Sequence, residues 1–513
     1  MKQTQENSQY DVIVVGAGNG GLTAALCALE EGKRVLLLEK NLYPGGCAVS
    51  FRRGRFEFEA SLHELAFVGS EEEPGTVRTL MNRFGIRPEF IILKDAFRAV
   101  TQDEDGYDIT MPSGYGAFFS KLVREVPEAE ESVKKLKKMI KNIKKAIAYF
   151  SSGRSNKLTC LLKYRDFIKA SSYSLLEVLD SVGMPEKARS LFCTYWPYLG
   201  SSPEQIDAMI YLAMFDGYMA VGPALPRHRS YELSCALEHE IEARGGKIRY
   251  NTKVEKFLCK DGQVCGVKAG NEEFLAPLVV ANLSPETVYT HMLDADALNP
   301  TDRKLARARS FGPKFYTVYL GLDKPFESFG IRDYTIFINT ASDPGEQYRS
   351  MNDFETTPLI INFLNAAIPD ASPEGTTLVY ITALMEAEAD DGLCETNYDR
   401  RKREIASILI DRCERALGID LKNSIEEIEI GTPATFARYL GTPYGTPYGY
   451  LMKDWDVAMF RTMHEKEDNQ IPGLVFVGAS CHNGDGYSSA YLSGQSMVKK
   501  ALGEMKKKGG RRP

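Results

Sequence analysis

The chain lacks the cysteine and histidine spacings that mark metal sites and disulfide frameworks. Its ten cysteines include no CxxC pair, and its six histidines show neither HExxH nor another metal-binding spacing. We therefore expect reduced, mainly structural thiols and no metal site. Cys47 and Cys481 each lie in a glycine-rich segment, where we expect small packing residues rather than redox thiols.

A basic excess and long apolar runs are missing as well. The formal net charge is -6 and no DNA- or RNA-binding motif is present, so we expect no nucleic-acid partner. The N-terminal stretch MKQTQENSQYD is polar, and the first apolar run is short and ends at glycine. We therefore expect no signal peptide and no membrane-spanning helix, and we predict a soluble, cytoplasmic protein.

The feature that is present at the start of the chain is a dinucleotide-binding fingerprint. The apolar run Val12–Val15 predicts a strand buried in a parallel sheet, and it stops at glycine. Gly16 permits the tight turn, Gly18 lets backbone amides approach a pyrophosphate, and Gly21 lets the next helix pack closely on the strand. A strand, a glycine turn and a helix in this order predict a Rossmann-type unit.

A second strand and an acidic residue complete the unit. Val35–Leu38 predicts the strand, and Glu39 follows it, eighteen residues after Gly21. An acid at this place can accept hydrogen bonds from a ribose hydroxyl, while the N-terminal amides of the helix can hold the pyrophosphate. Lys40 follows directly and is included among the candidate nucleotide-binding residues.

A further candidate element lies near the C-terminus. The predicted strand Leu474–Val477 runs into Gly478, and a loop with Gly484, Asp485 and Gly486 precedes a helix that begins near Tyr487. Loop amides and Asp485 could approach the middle of a long dinucleotide, with the helix dipole facing a ring carbonyl. The alternative is a terminal strand and helix that simply close the sheet.

A basic amphipathic helix is predicted over residues 131–150. Seven lysines accompany an apolar stripe, which consists of Val133, Leu136, Ile140, Ile143, Ile147 and Phe150. Two interpretations stay open. Either the helix lies on an anionic membrane with its stripe buried in the bilayer, or it packs on its own domain with the lysines solvated.

Taken together, these segments resemble the FAD-dependent family of phytoene desaturases, carotenoid isomerases and all-trans-retinol saturases, and more distantly the amine oxidases. The resemblance rests on the fingerprint, on Glu39 followed by Gly45-Gly46, and on three further stretches, which read FRRGRFEFEASLH, RGGKIRYNTKVEKF and VGASCHNGDGYSSAYLSGQS. It implies an α/β fold in which a Rossmann-like FAD-binding domain carries a discontinuous α+β substrate domain. We place the FAD-binding domain at residues 1–70, 221–299 and 431–513, and the substrate domain at residues 71–220 and 300–430.

The resemblance also implies FAD, rather than NAD, as the bound dinucleotide. It assigns Gly45 and Gly46 to the central portion of the flavin, Val254 to the adenine, and the C-terminal loop to the ribityl and pyrophosphate groups. With the fingerprint residues, the predicted cofactor-binding set is Gly16, Gly18, Gly21, Glu39, Lys40, Gly45, Gly46, Val254, Gly478, Gly484, Asp485, Gly486 and Tyr487.

Two segments depart from the family pattern. Where relatives commonly read FDxG before a polar residue, this chain has Phe58–His63, in which Glu59 and Ser61 replace the aspartate and the glycine. A glycine-rich turn of the YPKGG type is replaced by Leu225–Ser230. The substrate class therefore stays open.

The resemblance implies hydride transfer at flavin N5 to or from a hydrophobic isoprenoid, polyene or lipid, with saturation, desaturation or isomerisation of a C=C bond. Aromatic runs at 192–200 and 215–226 favour an apolar tunnel for such a substrate. The candidate proton-handling residues are His63, Glu64, Tyr444 and Tyr448. Because only one complete fingerprint is present, we expect no separate NAD(P)H domain, and electrons would have to arrive at this same site, with NAD(P)H as a candidate donor, or come from a partner or from the substrate.

Two other functions are kept as alternatives. The first is an amine or amino-acid oxidase, although the sequence shows no aromatic cage and no carboxylate-binding arginine. The second is a non-catalytic lipid-binding protein like the GDP-dissociation inhibitors, which share this fold without flavin. Intact Glu39 and Gly45-Gly46 argue against the second. The sequence does not indicate an oligomeric state.

Overall fold

The computed structural model describes residues 9–104, 106–151, 162–298, 300–453, 455–457, 461, 471–481 and 484–510. Its strands are β1 (Val12–Val15), β2 (Val35–Leu38), β3 (Ser50–Arg53), β4 (Phe56–Glu59), β5 (Phe90–Ile92), β6 (Asp95–Thr101), β7 (Asp108–Pro112), β8 (Ala224–Pro226), β9 (Lys247–Arg249), β10 (Lys256–Lys260), β11 (Gln263–Ala269), β12 (Glu272–Leu275), β13 (Leu278–Ala281), β14 (Lys314–Leu322), β15 (Thr335–Asn339), β16 (Leu359–Phe363), β17 (Thr377–Met385), β18 (Ile425–Gly431) and β19 (Leu474–Phe476).

The α-helices are α1 (Asn19–Glu30), α2 (Thr76–Phe84), α3 (Tyr115–Glu125), α4 (Glu130–Ser151), α5 (Arg165–Ala170), α6 (Leu175–Val182), α7 (Glu186–Cys193), α8 (Ala208–Met219), α9 (Arg229–Ala243), α10 (Pro285–Thr287), α11 (Pro300–Ala308), α12 (Pro344–Arg349), α13 (Leu364–Ala367), α14 (Tyr398–Leu417), α15 (Pro433–Leu440) and α16 (Tyr487–Gly510).

Five parallel strands form the first sheet, in the order β19-β13-β1-β2-β9. β1 pairs in parallel with β13 on one side and with β2 on the other, and all three strands are buried along their length. Continuous Val, Ile and Leu runs suit this position, because such a sheet is covered on both faces. Helices α1, α9 and α16 cover one face, and the three-stranded sheet β10-β11-β12 packs on the other.

The second sheet has seven strands, in the order β18-β14-β17-β16-β15-β6-β7. Its pairings are antiparallel except for β15 with β6. A helical layer that includes α3, α4, α6, α7 and α8 shares a core with one face, and α14 packs on the other. This mixed sheet with its helices corresponds to the α+β substrate domain.

The sheets can be compared with the domain boundaries predicted from sequence. Every strand of the parallel sheet lies inside the segments predicted for FAD binding, and the seven-stranded sheet leaves its predicted segments only where β18 ends, at Gly431. Helix α2, which follows the predicted boundary at residue 70, packs nevertheless in the core of the parallel sheet. Its buried Val77, Leu80 and Phe84 contribute to that core because they lie on one helical face.

Helix α4 buries most of its described apolar side chains inside the protein and exposes its lysines. Val133, Leu136, Ile140 and Ile143 are buried in the core that α4 shares with the seven-stranded sheet, so these four residues of the apolar stripe pack on the protein itself. Ile147 is 38% exposed, and the side chain of Phe150 lies outside the described ones. The lysines, in contrast, are all exposed on the outer face.

Across the described residues, we find no helix that combines the length and the hydrophobicity needed to cross a bilayer. The same part of the chain contains no group of three or more His, Cys, Asp or Glu side chains arranged to hold a metal ion.

Candidate functional site

A cavity of about 810 Å³ is lined by both domains. Val15 and Leu38, the last residues of β1 and β2, line it together with Phe315 and Thr382 of the seven-stranded sheet. The crevice outside the carboxyl ends of parallel strands is where α/β folds bind their ligands. The cavity is therefore the candidate functional site.

The glycine turn has the geometry that the fingerprint requires. Gly16 has a φ of +95°, which favours glycine, and it ends β1 sharply. A Cβ on Gly21 would lie 1.9 Å from the Gly16 carbonyl oxygen, so only glycine lets α1 pack so closely on the turn. Gly21 serves packing and does not line the cavity, whereas Gly16 and Gly18 do.

The carboxylate of Glu39 connects the turn to the end of β2. It is 6% exposed; Oε2 accepts a hydrogen bond from the Ala17 amide at 2.7 Å and Oε1 one from the Asn41 amide at 2.8 Å. Each carboxylate oxygen keeps a further acceptor position. Glu39 lines the cavity, so these positions are suited to ribose hydroxyls. The neighbouring Lys40 also lines it and donates through Nζ to the Arg438 carbonyl at 3.0 Å.

The start of α1 can accept an anion. Its N-cap, Gly18, offers no side-chain acceptor, and the first turn contains no acidic residue, so the N-terminal amides have no anionic partner from that turn. Asn19 lines the cavity, and its buried Oδ1 has no hydrogen-bond partner among the described residues. The uncapped helix start and this unpaired side chain fit the phosphates and polar groups of a dinucleotide.

The remaining predicted cofactor-binding residues gather around the same cavity. It is lined by Gly45, Gly46, Val254, Gly478, Gly484, Asp485, Gly486 and Tyr487. The Tyr487 hydroxyl donates to the Cys47 carbonyl at 2.9 Å, which joins the start of α16 to the segment after β2. Burial raises the pKa of the Asp485 carboxyl to about 7.

Cys47 also lines the cavity, and burial raises the pKa of its thiol to about 11. A thiol with such a pKa stays protonated at neutral pH, which matches a packing residue better than a reactive one. The described cysteines form no disulfide with each other, and Cys160 lies outside the described residues.

Another part of the cavity wall is apolar. It is formed by Leu62, Phe67, Leu199, Ile210, Ala213, Met214, Phe315, Leu440 and Met452. Of the aromatic runs noted in the sequence, Tyr198 and Tyr218 reach the cavity, whereas Phe192, Trp196 and Phe215 are buried core residues. The site thus offers an apolar chamber with a few polar side chains.

Glu64 is the acidic side chain beside this apolar wall. It is 6% exposed, and Oε1 accepts a hydrogen bond from Thr335 Oγ1 at 2.5 Å. Burial raises the pKa of its carboxyl to about 8, although the Thr335 hydrogen bond opposes the shift. At neutral pH the side chain is therefore mainly a neutral carboxylic acid that can give up a proton.

His63, in contrast to Glu64, is a neutral base. Its Nδ1 lies 2.5 Å from Asn362 Oδ1, and burial lowers the pKa of the ring to about 4. Because an amide oxygen only accepts, Nδ1 carries the hydrogen of this neutral ring and Nε2 keeps a lone pair. His63 lines the cavity and stacks on Tyr198, with ring centroids 5.8 Å apart.

The structure separates the two candidate tyrosines. Tyr448 lines the cavity, donates its hydroxyl to the Pro197 carbonyl at 2.9 Å, and has its pKa raised by burial. Tyr444 does not line the cavity; it is 47% exposed, and its ring contacts Phe311. The cavity therefore brings together His63, Glu64 and Tyr448.

Thr335 and Asn362 are site residues that the sequence did not indicate. They face each other across β15 and β16, and both are almost fully buried. No motif marks them, because the contact arises from strand register. The sequence feature that could have indicated Asn362 is a single asparagine inside the apolar run LIINFL (359–364).

Curated relatives are similar to almost the whole chain. Prolycopene isomerase 1, chloroplastic, from an Oncidium hybrid cultivar is 24% identical over 516 residues, covering 96% of this chain and 84% of that protein. All-trans-retinol 13,14-reductase from Homo sapiens is 25% identical over 546 residues, covering 97% of this chain and 87% of that protein.

Solved structures share the fold, and a family match covers most of the sequence. An oxidoreductase from Methanosarcina mazei has a TM-score of 0.63 at 16% identity (96% of this chain, 100% of that chain). Cyclohexylamine oxidase from Brevibacterium oxydans has a TM-score of 0.61 at 13% identity, covering 97% of this chain and 99% of that chain. The family described as flavin containing amine oxidoreductase matches residues 20–502. The chain therefore belongs to the family of flavin-containing amine oxidoreductases and is an oxidoreductase with that fold.

Proposed function

We propose that the protein uses FAD to saturate, desaturate or isomerise a C=C bond, or the adjacent C–C bond, of a hydrophobic isoprenoid, polyene or lipid. The observation that carries this proposal is Glu64, a buried neutral acid beside an apolar cavity wall. Two relatives, a prolycopene isomerase and an all-trans-retinol 13,14-reductase, support the substrate class.

Membership of the family implies FAD, and the residues of the cavity fit it. Glu39 would accept hydrogen bonds from the ribose, the start of α1 would hold the pyrophosphate, and Val254 would lie against the adenine. Gly45 and Gly46 would let the central portion lie against the backbone. When bound, FAD supplies hydride acceptance and donation at its N5 position.

The side chains around the apolar wall supply the proton chemistry. Saturation of a C=C bond needs a proton for one carbon, and the neutral carboxyl of Glu64 can give it. Desaturation needs a proton acceptor, and the lone pair on His63 Nε2 can accept that proton. Tyr198 and Tyr218 line the cavity beside these residues and help to exclude water. For reduction, NAD(P)H is the proposed electron donor at this same cavity.

The amine-oxidase alternative finds less support in the cavity. The cations in its described lining are Lys40, Lys253 and Arg438, which lie beside Glu39, Val254 and Lys40 at the nucleotide end. No arginine of that lining stands beside His63 to bind a substrate carboxylate. Tyr198 and Tyr218 contact each other, with ring centroids 5.8 Å apart, and so leave no gap for an amine.

The exposed lysines of α4 form a surface that we assign to anionic lipid. Lys144 pairs at 2.8 Å with Asp216 of α8, and Ile210, Ala213 and Met214 of α8 line the cavity. The lysine surface thus lies beside a wall of the substrate chamber, where an apolar substrate could arrive from a membrane. Each lysine near an anionic surface contributes about 1 kcal/mol.

Analysis of products tests the reaction class. We expect purified protein to carry FAD and, under anaerobic conditions with NADH or NADPH, to change a polyene, isoprenoid alcohol or unsaturated lipid. A product mass higher by two hydrogens identifies a saturase, a lower mass a desaturase, and an unchanged mass with altered retention an isomerase. Protein that stays colourless with added FAD, or a flavin reduced by amines alone, would contradict the proposal.

Glu39→Gln tests the nucleotide site. The amide nitrogen cannot accept a hydrogen bond, so we expect the Kd for FAD, measured by flavin fluorescence, to rise at least tenfold, since hydrogen bonds to charged groups contribute about 1.5–3 kcal/mol. Glu426→Gln, which alters an exposed ion pair with Arg55, is the control. Unchanged FAD affinity in Glu39→Gln would contradict the assignment.

Glu64→Gln tests the proposed acid. In the reductive direction we expect turnover to fall about 10²- to 10⁴-fold with FAD still bound, because the amide cannot donate the proton. The turnover rate of the parent protein should decrease as pH rises through about 8, where Glu64 deprotonates. The variant should lose this decrease in its pH–rate profile. The control is Glu426→Gln, which alters an exposed ion pair with Arg55 and should keep the decrease in rate above pH 8. If the rate of Glu64→Gln still decreases above pH 8 as in the parent, Glu64 is not the proton donor.

Charge reversal tests the lipid surface. The variant carries Lys138→Glu, Lys141→Glu and Lys145→Glu, all on the exposed face of α4. We expect its partitioning onto anionic liposomes to weaken about a hundredfold or more. The control changes Lys499, Lys500 and Lys507 of α16 to Glu, with the same change in net charge. Equal loss in both variants, or no binding by the parent, would contradict a specific lysine surface.

A further inference from the structure

Two buried polar residues connect the proposed acid and the proposed base. Thr335 and Asn362 are paired across β15 and β16, and they are 3% and 0% exposed. Asn362 contacts the His63 ring, Thr335 contacts the Glu64 carboxyl, and the two contact each other with Asn362 Nδ2 3.1 Å from Thr335 Oγ1. An unbroken chain of hydrogen bonds therefore runs from His63 to Glu64.

The amide of Asn362 sets the direction of this chain. Its oxygen only accepts, so it takes the hydrogen of His63 Nδ1, and its nitrogen only donates, so it gives a hydrogen to Thr335 Oγ1. The single hydroxyl hydrogen of Thr335 is then left for Glu64 Oε1 at 2.5 Å. The first two links follow from the amide groups of Asn362, and the third from the hydroxyl hydrogen that they leave to Thr335.

The direction determines what each end presents. His63 is held as the Nδ1–H tautomer with its lone pair on Nε2, and acceptance of the Thr335 hydrogen at Glu64 Oε1 favours Oε2 as the protonated oxygen of the neutral carboxyl. Tyr195 contacts this second oxygen from the buried side: its hydroxyl donates to the Ala96 carbonyl at 2.9 Å and to Glu64 Oε2 at 3.3 Å.

We infer that Asn362 and Thr335 are positioning residues that hold a base at His63 Nε2 and an acid at Glu64 Oε2 in the same cavity. The inference rests on the proposed function and deepens it. The acid serves the direction in which a C=C bond is saturated, and the base serves the direction in which a C–C bond is desaturated. One hydrogen-bond chain thus prepares the site for both directions.

Among the described residues, tyrosine hydroxyls surround Glu64. The other titratable groups that act on it are the hydroxyls of Tyr195, Tyr198, Tyr218 and Tyr334. Burial raises the pKa of each of these tyrosines well above its usual value, so they stay neutral.

Thr335→Val tests the acid end, because valine keeps the shape and removes the hydroxyl. The Thr335 hydrogen bond stabilises the carboxylate, so its loss should raise the Glu64 pKa by about one pH unit. Infrared difference spectra over a pH series measure this without substrate, with the Glu64 band identified by its loss in Glu64→Gln. Thr335→Ser should restore the parent value. Thr377→Val, which removes a buried hydroxyl bonded to the Lys324 carbonyl in the same sheet, should leave it unchanged.

Asn362→Leu and Asn362→Asp test the base end. ¹⁵N-histidine NMR of the FAD-loaded protein reports the ring tautomer, and His63→Gln identifies the signal. We expect the Nδ1–H tautomer in the parent and its loss in Asn362→Leu. In Asn362→Asp the adjacent carboxylate should raise the His63 pKa, so the protonated ring should persist to higher pH.

The outcomes separate the inference from the proposed function. An Nε2–H tautomer in the parent, or a Glu64 pKa that does not respond to Thr335→Val, would overturn the positioning role even if polyenes are converted. If both spectroscopic shifts occur and no C=C substrate reacts, the positioning role holds and the proposed substrate class is wrong.

Discussion

The site depends on how one short segment, residues 59–64, is held between the two domains. Three tyrosine hydroxyls contact the backbone of this segment: those of Tyr319 and Tyr380 in the seven-stranded sheet, and that of Tyr334, which directly precedes β15. Tyr380 accepts from the Glu59 amide at 3.0 Å, and Tyr334 donates to the His63 carbonyl at 2.5 Å. These bonds fix the backbone that carries the proposed acid and base, so the positions of both side chains follow from packing on the sheet.

The other end of the segment is anchored to the nucleotide-binding domain. The buried Glu59 carboxylate accepts hydrogen bonds from Ser230 Oγ at 2.6 Å and from the Ser230 amide at 2.8 Å, at the start of α9. Glu59 is one of the residues that depart from the family pattern, and Ser230 ends the other departing segment. The two departures therefore meet in one contact inside the segments predicted for FAD binding.

Burial without a counter-ion gives the site its chemical character. No lysine or arginine of the described lining stands beside Glu64, and desolvation keeps its carboxyl protonated. The same burial keeps His63 neutral. The part of the cavity that holds a neutral acid, a neutral base and an apolar wall lies apart from the charged residues at the nucleotide end, which matches the uncharged hydrophobic substrate that we propose.

The sequence by itself determined the nucleotide-binding unit, because strand, glycine turn, helix and acid are close along the chain and their spacing encodes the local backbone. It also indicated His63 and Glu64 through a family resemblance. Only the tertiary structure excluded Tyr444 from the cavity, buried the apolar stripe of α4, and revealed Thr335 and Asn362. These outcomes depend on strand register and on packing between residues distant in sequence, which no local spacing records.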